Sequence, residues 1–415
     1  MTKQNPFLTN SFKSIWLKHY GDKNASIKAF NYFSRLEFVE RANRSLYFNV
    51  GKTLTKGLGY AINAKEAAEL KNKTVLIYDV PTYFKVDTSQ LGLKIKHLKS
   101  RQYPGFLIET GKYNSLNDYM LANFSKNSRN KNNKYKRRLE DSFNITYKMF
   151  CGDVSKTEYD FIFTEFKRLL EKRFSEKEIT NNNLDTNEWA FYYDIAYPLI
   201  LEKKASLYVI YDRGKPIGVT LSYFSEDTLF DAITVFDTDY FKFHLGSVTI
   251  MKLIEWCIDN DIIILDFSKG YFEYKTRWCT ETYDFEYHIF YDSTSLKSKI
   301  LASSIKRIYD FKHLLRERNL NEKFHKFTYK LKHREHKETE KATYNFTEAD
   351  LSQIDEIGLS INFELPENKT IRFMIFEFLY LHLEKYNNIQ LFKLNNMANS
   401  YLIKGKQKSF VVKIN

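Results

Sequence analysis

The sequence predicts an α/β protein built on a mixed sheet, and residues 207–291 provide the reasons. Residues 207–211, 217–223 and 228–236 are rich in β-branched and aromatic side chains and are separated by turn residues, which predicts three sequential strands. The first connection is short, so these strands are expected to pair antiparallel. The apolar run at 262–267 predicts a buried strand, typical of strands that are covered on both faces.

A helix is predicted between the third strand and this buried strand. Its apolar side chains recur at helical spacing, at Val248, Met251, Ile254 and Ile258. Ser247 immediately precedes them and is the predicted N-cap. A short helix over 271–278 and an alternating strand over 285–291 are predicted to follow the buried strand.

Four short motifs accompany this order of elements. They are Phe236-Asp237-Thr238-Asp239-Tyr240, His244-Leu245-Gly246-Ser247, Asp266-Phe267-Ser268-Lys269-Gly270, and Tyr274-Lys275 followed by Trp278. Together they resemble the "FDxxY", "SPG", "DFxxG" and "YKxxW" signatures of one bacterial branch of the GNAT superfamily of acyltransferases. This branch is associated with cellulose biosynthesis and the BioF2-like acetyltransferase domain, and it is distantly similar to the Fem-type aminoacyltransferases.

The resemblance implies two tandem GNAT-like halves, and changes in composition divide the rest of the chain. We predict a degenerate N-terminal GNAT-like half at 1–104 and a C-terminal GNAT acyltransferase domain at 105–295. A basic helical extension at 296–342 and a small α+β unit at 343–415 are predicted to follow. Within the last unit, the local pattern predicts a helix over 347–357.

The charge of the chain predicts anionic partners. The formal net charge is +13 over 415 residues, and a basic surface attracts nucleic acid, anionic membranes, acidic carrier proteins or phosphorylated substrates. Residues 297–341 hold fourteen Lys and Arg against six Asp and Glu. Because this segment also carries an apolar stripe, it is expected either to pack on the acyltransferase core or to contact an anionic membrane surface.

Composition also disfavours several classes of protein. No run reaches the roughly 18 apolar residues that a membrane span needs, and residues 1–10 lack the apolar segment of a signal peptide, which predicts a cytoplasmic protein. Three separated cysteines form no ligand pair and no disulfide framework. His333 and His336 have helical spacing but no companion ligands, so no metal is expected.

Residues 126–138 contain seven basic residues and no acid. The segment resembles the family's "SRKxxRRxxRRLE" helix, which lies near the acceptor cleft. The substrate-binding residues that the resemblance implies are Ser128, Arg129, Lys134, Arg137 and, from the fourth motif, Trp278. Arg129 and Arg137 suit bidentate contacts to a phosphate or carboxylate, although a solvated basic face is the alternative. Tyr135 is the only aromatic residue in the segment, which does not indicate a single-strand binder, and no DNA partner is predicted.

For the donor, the resemblance implies a thioester bound in a gap between two central parallel strands. Its pantetheine arm would pair with the edge of the strand at 228–236, which assigns Val235 and Phe236 to it. Its pyrophosphate would lie at the next helix N-terminus, where free amides and the helix dipole favour anions. The residues assigned to that terminus are His244, Leu245, Gly246 and Ser247. This loop departs from the usual "Q/RxxGxG/A" pattern, so an acyl carrier protein or a charged tRNA stays open beside acetyl-CoA or another acyl-CoA.

The reaction needs a base for the attacking amine and stabilisation of a tetrahedral oxyanion. The predicted catalytic residues are Asp266, Tyr274, Lys275 and Asp231. Asp266 ends a buried strand, at the edge where ligands of α/β sheets gather, and Asp231 interrupts an apolar strand. A structural role for Asp266 and an outward-facing Asp231 are the alternatives. Glu273 and His244 are further candidates for the base. Tyr274 and, equally, Tyr271 are candidate proton donors to the leaving thiolate.

The sequence therefore predicts a GNAT-type N-acyltransferase that moves an acyl group from a thioester directly to an amine. The amine could belong to an amino sugar, an amino acid or an envelope precursor. No Ser-His-Asp or Cys-His arrangement indicates a covalent nucleophile. Two alternatives stay open: Fem-like aminoacyl transfer from charged tRNA, and a non-catalytic scaffold that binds anionic partners.

Overall fold

The computed structural model of the chain describes residues 5–317, apart from 22–25, 42–44, 93 and 179–180, and residues 343–414, apart from 350–353, 355–356, 396 and 407. Its strands are β1 (Ile27–Ala29), β2 (Glu37–Arg41), β3 (Leu46–Asn49), β4 (Thr74–Pro81), β5 (Ile95–Ile108), β6 (Ile145–Phe150), β7 (Ala205–Asp212), β8 (Lys215–Ser225), β9 (Thr228–Phe236), β10 (Ile264–Lys269), β11 (Glu281–Asp292), β12 (Tyr344–Glu348), β13 (Ile357–Ser360), β14 (Gln390–Leu394), β15 (Ser400–Lys404) and β16 (Ser409–Ile414). Its α-helices are α1 (Asn10–Tyr20), α2 (Leu116–Asn123), α3 (Lys126–Ser142), α4 (Lys156–Glu176), α5 (Thr186–Leu201), α6 (Leu245–Asp259), α7 (Glu273–Trp278), α8 (Leu296–Glu317) and α9 (Lys369–His382).

One large mixed sheet holds the strands from β1 to β11. Its spatial order is β1-β2-β3-β4-β11-β5-β10-β9-β8-β7-β6. The β3–β4 and β9–β10 pairs are parallel, and the other pairs are antiparallel. The predicted α/β class with a mixed sheet is confirmed.

The sheet consists of two similar halves that exchange a strand. In each half an antiparallel run ends in a parallel pair: β1 to β4 in the first half and β6 to β10 in the second. The strand that follows each parallel pair joins the other half, so β5 pairs with β10 and β11 pairs with β4. β5 and β11 then pair with each other at the centre. This exchange makes one continuous sheet from two units and confirms the tandem arrangement.

The two halves differ in the segment that connects their parallel strands. In the second half this segment contains α6, a helix of 15 residues. In the first half it contains only short 3-10 segments at Lys52–Leu54 and Ala64–Leu70. Within the described residues, the second half alone therefore presents a long helix N-terminus next to its parallel strands.

Helices cover both faces of the second half. On one face α1, α4 and α5 bury side chains such as Trp16, Phe166 and Ile195 against the sheet. On the other face α2, α3 and α6 bury Met120 and Leu139 together with the apolar side of α6. Burial on both faces explains why these strands read as continuous apolar runs rather than as alternating ones.

The unit boundaries taken from the sequence remain predictions. β5 runs through Pro104 and Gly105, so the sheet is continuous across the boundary proposed at residue 104. α8 occupies the start of the predicted basic extension, and the rest of it, including His333 and His336, lies outside the described residues. None of the helices in the described part of the chain is both long and apolar enough to cross a membrane.

The C-terminal unit forms a separate antiparallel sheet, in the order β12-β16-β15-β14-β13, with α9 as its helix. The helix predicted over 347–357 is wrong at both ends, because β12 extends to Glu348 and β13 begins at Ile357. Tyr344 in β12 pairs with Ile414 in β16, far along the chain. Such long-range pairing overrides the local preference that a sequence pattern reports.

Candidate functional site

The parallel strands β9 and β10 diverge after a short pairing. They pair at three positions, and the last pair is Phe230 opposite Asp266. From Asp231 onward, this edge of β9 has no neighbouring strand in the described part of the chain. A β-bulge at Ala232 interrupts the pairing of β9 with β8, and bulges leave a residue out of the hydrogen-bond ladder. The result is a gap bordered by a strand edge with free backbone donors and acceptors.

The N-terminus of α6 lies beside the last residue of β9. A Cβ atom at Gly246 would come within 2.7 Å of the Phe236 ring, so glycine permits this close approach. The helix begins at Leu245, and its cap residue His244 has a left-handed backbone (φ 49°) without a side-chain cap bond. The predicted N-cap at Ser247 is wrong, because the Ser247 amide already donates to the His244 carbonyl (2.8 Å) within the first turn.

This helix terminus can accept an anion. The amides of Leu245 and Gly246 have no acceptor among the described residues, and no acidic side chain lies in the first turn. The Arg173 guanidinium lies over the Phe236 ring, 4.3 Å from its centroid, and brings a cation to the same corner. Free amides, the helix dipole and a nearby cation all favour negative charge.

The other residues predicted at this terminus have different surroundings. The side chains of Leu245 and Val235 are fully buried in the core, so only their backbone atoms can reach a ligand. The His244 ring stacks on Tyr135, with 3.9 Å between centroids. Burial lowers the pKa of His244, and the charge of nearby Arg277 lowers it further. At pH 7 the His244 ring is therefore neutral, and it lies with the Tyr135 ring beside the α6 N-terminus.

Asp266 is buried at the end of β10. Its carboxylate accepts hydrogen bonds from the hydroxyls of Tyr83 (2.8 Å) and Tyr283 (2.6 Å) and from the Ser268 amide (2.6 Å). Burial raises its pKa to about 6, although these donors oppose the shift. Gly105 lets Tyr283 cross β5 closely, since a Cβ atom there would overlap the ring. A carboxylate with this set of partners and no solvent contact is suited to holding neighbouring groups in place.

Lys275 and Tyr274 approach the gap from α7, on the β10 side. The Lys275 side chain is buried, and its ammonium donates to the carbonyls of Ser268 (3.3 Å) and Lys269 (3.1 Å). Burial lowers the pKa of Lys275 to about 8, although the charge of Asp231 opposes the shift. Tyr274 keeps 38% of its surface exposed while burial and Asp231 raise its pKa. This combination is expected of a side chain that lines a cleft rather than the outer surface.

Asp231 lies on the other side of the gap, on β9. Its carboxylate is 7% exposed and accepts a hydrogen bond from the Thr234 hydroxyl (2.7 Å). Burial raises the pKa of Asp231, and the Thr234 bond and the charges of Lys275 and Lys56 oppose this shift. The structure therefore brings Asp231, Tyr274 and Lys275 together around one gap, as a general acid–base site requires.

The first half adds charged residues that the sequence did not predict. Lys56 follows β3, and burial and the charge of Lys269 lower its pKa, while Asp79 and Asp231 are among the acids that oppose the shift. Asp79, with a left-handed backbone (φ 60°) in β4, accepts hydrogen bonds from Thr55 (2.9 Å) and from the Lys269 ammonium. Asp79 and Lys269 are 190 positions apart, so no local pattern could have linked them. Tertiary structure alone shows that both halves line the site.

The basic helix α3 has only part of its surface near this site. Ser128 and Arg129 are half-buried, and Arg129 donates to the Phe124 carbonyl (2.7 Å) at the start of the helix. Arg137 is exposed and is two positions from Tyr135, so it points to roughly the opposite side of the helix from the residue that contacts His244. Among the predicted substrate-binding residues on α3, Arg137 therefore points furthest away from the gap.

Lys134 and Trp278 also have structural partners. The Lys134 ammonium lies 5.8 Å from the ring of Tyr380 on α9, and the Arg138 guanidinium lies over the same ring at 4.5 Å. Trp278 is 2% exposed and stacks parallel to Tyr119. Lys134 thus lies where α3 meets the C-terminal unit. Trp278 is the last residue of α7, and its side chain is part of the hydrophobic core.

Residues 125–276 match the family model described as "Acetyltransferase (GNAT) domain". This stretch runs from α3 to α7 and includes the gap, Asp231, Asp266 and the α6 N-terminus. This stretch of the chain is thus similar to GNAT acetyltransferase domains, and the match supports acyl transfer as its activity. No curated protein sequence matches the chain.

Solved structures include proteins that are similar to this chain. One is a conserved protein of unknown function from Bacteroides thetaiotaomicron, with 12% identity, 70% of this chain and 93% of that chain covered, and a TM-score of 0.47. Another is L-PGS from Bacillus licheniformis, with 12% identity, coverages of 73% and 98%, and a TM-score of 0.42. A third is FemX, with 11% identity, coverages of 61% and 83%, and a TM-score of 0.43.

Proposed function

We propose that the chain is a GNAT-type N-acyltransferase that moves an acyl group from a thioester donor directly to an amine. The observation that carries the proposal is the gap between β9 and β10, with the α6 N-terminus beside it. Asp231 and Lys275 border this gap on opposite sides. A free strand edge, an anion-binding helix terminus and an acid–base pair are the parts that direct transfer from a thioester needs.

The gap suits a donor with an extended, amide-bearing arm and an anionic end. The arm would pair with the free edge of β9 over residues 231–236, and the anion would contact the amides of Leu245 and Gly246 near Arg173. Acetyl-CoA or another acyl-CoA has this form, with a pyrophosphate at the end of the arm. An acyl carrier protein would present the same arm with a single phosphate. The α6 terminus, with two free amides, favours the doubly charged pyrophosphate of the CoA donors.

Asp231 is the proposed base. When an amine attacks the thioester carbon, the new C–N bond leaves a positive nitrogen, and its proton passes to the Asp231 carboxylate. The raised pKa of Asp231 brings the carboxylate closer to the basicity that proton transfer at neutral pH requires. Asp266, with its three donors and no solvent contact, is assigned the positioning of the β10 end and of Lys275 rather than direct contact with the substrate.

Lys275 is the proposed proton donor to the leaving thiolate. When the tetrahedral intermediate collapses, the C–S bond breaks and the sulfur takes a proton from Lys275. Its pKa of about 8 is close to the value of about 8.5 for a free thiol, so the transfer is nearly balanced. The raised pKa of Tyr274 makes its hydroxyl a weaker acid, which suits a hydrogen bond to the substrate instead. The backbone at the Ala232 bulge is the proposed donor to the oxyanion.

The proposed acceptor is the amine of a small molecule or an envelope precursor. Lys56 and Asp79 place both signs of charge on the first-half side of the gap, which suits a polar acceptor such as an amino sugar or an amino acid. A role in polysaccharide or cellulose-related synthesis remains a prediction from the four motifs, as does a cytoplasmic location. Contact with an acyl carrier protein or an anionic membrane is proposed only as a peripheral partnership.

One observation favours a second candidate function, aminoacyl transfer from charged tRNA. Exposed cations on α3, such as Lys131 and Arg137, face solvent, and the formal charge of the chain is +13. A polyanion as large as tRNA would contact such a surface through its phosphates. The donor chemistry at Asp231 and Lys275 would be the same, with an oxygen ester in place of the thioester.

Donor binding separates these functions. We expect acetyl-CoA at a hundred times its Kd to stabilise the protein by about 2.7 kcal/mol in a thermal-shift assay. We also expect mass spectrometry to detect an acylated amine among pooled amino sugars and amino acids.

The Asp231→Asn variant should bind the donor and lose turnover. Asp227→Asn, an exposed carboxylate in the turn before β9, is the matched control and should keep both. Stabilisation by charged tRNA and not by any acyl-CoA or acyl carrier protein would replace the first function with the second. No response to any donor would refute both.

A further inference from the structure

α8 packs one face on the large sheet and leaves an apolar face uncovered. Ala302, Ile305 and Tyr309 lie on the inner face, against Leu76 and Tyr287 among other residues of the sheet. On the outer face, large apolar side chains are exposed by between 43% and 72%, at Leu296, Ile300, Ile308, Phe311 and Leu314. Exposed apolar residues that are scattered singly need no explanation, but five of them within one sector of a single helix indicate an interaction surface.

The helix is fixed firmly, so this stripe is presented rigidly. The Tyr309 ring stacks on Tyr287 at 3.9 Å, and its hydroxyl contacts that of Tyr78 at 2.7 Å. Asp310 accepts a hydrogen bond from Ser100 on β5 (2.6 Å). Because the inner face already has these partners, the helix cannot rotate to bury the outer stripe in the sheet.

Positive charge surrounds the stripe. Between residues 296 and 315 the helix carries one acid, Asp310, and several cations, which are Lys297, Lys299, Lys306, Arg307 and Lys312. Asp310 is engaged by Lys306, whereas Lys297, Lys299 and Arg307 are exposed. At the C-terminal end of α8, Lys312 lies close enough to Lys52 for its charge to lower the pKa of Lys52. By helical spacing Lys297 and Arg307 lie among the apolar side chains, and Lys299 and Lys312 lie on either side of them, so the outer face of α8 is both apolar and cationic.

From this arrangement we propose that the outer face of α8 binds an anionic lipid membrane, with the helix lying in the plane of the surface. Leu296, Ile300 and Phe311 would enter the boundary between headgroups and acyl chains, while Lys297 and Arg307 contact lipid phosphates. An apolar stripe with cations among and beside its side chains matches such a surface in both hydrophobicity and charge. A protein partner would need a facing apolar groove with acidic edges, which is the more restrictive requirement. This inference does not depend on the proposed acyltransfer.

Vesicle co-sedimentation of the full chain tests the proposal. We expect binding to vesicles in which phosphatidylglycerol replaces about a third of the phosphatidylcholine, and little binding to pure phosphatidylcholine. Lys297→Glu should weaken binding more than fivefold, since each cation near such a surface contributes roughly that factor and the substitution also adds a negative charge. Ile300→Asp and Phe311→Asp should each weaken it at least tenfold and leave the melting temperature unchanged. Leu359→Asp, at a site that is 86% exposed on β13, is the matched control and should bind like the unmodified chain.

Other results would overturn the proposal. Equal binding to both kinds of vesicle, or none to either, would exclude an anionic membrane as the partner. A clear fall in the melting temperature of Ile300→Asp would show that another part of the chain covers the stripe. If light scattering detected a dimer that Phe311→Asp converts to a monomer, a second copy of the chain would be the occupant.

Discussion

The replacement Lys275→Met tests the central claim about the site, namely that Lys275 is buried and that burial lowers its pKa. Methionine has a similar length and no charge, so it fills the space while removing the ammonium. The Lys275 ammonium is buried and donates to two backbone carbonyls. The substitution therefore removes an unfavourable charge and two hydrogen bonds at once.

The size of the effect follows from the pKa. Burial lowers the pKa of Lys275 from 10.5 to about 8, a difference of about 2.5 units, and at about 1.36 kcal/mol per unit the charged lysine costs the folded state about 3 kcal/mol at pH 7. Two lost hydrogen bonds to carbonyls offset a similar amount, about 1–3 kcal/mol each when the acceptors stay buried. The net change in unfolding free energy at pH 7 is thus expected to be small.

The pH dependence is more informative than the net change. Below pH 8, Lys275 is protonated in both folded and unfolded chains, and the whole cost is present. Between pH 8 and 10.5 the folded chain loses this proton and the unfolded chain keeps it, so the unfolded state binds more protons and stability rises with pH. Relative to Lys275→Met, the unmodified chain should gain about 2 kcal/mol between pH 7 and pH 9.5.

Urea unfolding of both proteins at pH 7 and pH 9.5 measures this gain, with the exposed Lys215→Met as the control that should follow the unmodified chain. In activity assays, Lys275→Met should lose roughly a hundredfold or more in kcat, the usual contribution of a positioned proton donor. Activity of the unmodified chain should fall as pH rises above about 8. If the unfolding curves of the two proteins shift in parallel with pH, Lys275 is not a lysine with a lowered pKa, and its assignment as the proton donor fails with it.

Three further predictions concern the walls of the gap. Asp231→Asn should lower kcat by about 10²–10⁴ with little change in KM, since the substitution removes the base and keeps the shape; an unchanged kcat would remove Asp231 from the mechanism. Gly246→Ala should displace the Phe236 ring, because its Cβ atom would meet that ring at 2.7 Å, and should weaken donor binding in calorimetry without changing the pH profile. Gly105→Ala should push Tyr283 away from β5 and destabilise the chain by about 1–3 kcal/mol in urea unfolding; a change of a few tenths would mean that the ring moves freely.

Local sequence patterns predict much of the fold, and each prediction that is wrong has a physical cause. The strand at 228–236 has the bounds that its β-branched and aromatic content and its flanking turn residues predict, because its side chains pack on both faces of the sheet. The sequence predicts a boundary between units at residue 104, yet β5 continues through Pro104. The ladder with β11 changes register just beyond the pairing of Pro104 with Asp284, and irregular pairing of this kind tolerates a residue without an amide hydrogen. The local pattern at 347–357 predicts a helix, yet residues 347 and 348 belong to β12, because β12 pairs with β16 at the far end of the chain.

The sequence by itself determined the order of the elements, the positions of Asp231, Asp266 and Lys275 along it, and the basic character of α3 and α8. These features depend on side chains a few positions apart, and local spacing reports them. Only the tertiary structure decided that β5 and β11 exchange halves and that Tyr83 reaches Asp266. It also decided that β9 and β10 separate after three pairs. The reason is that pairing between distant strands and burial of charge depend on neighbours that a sequence does not place side by side.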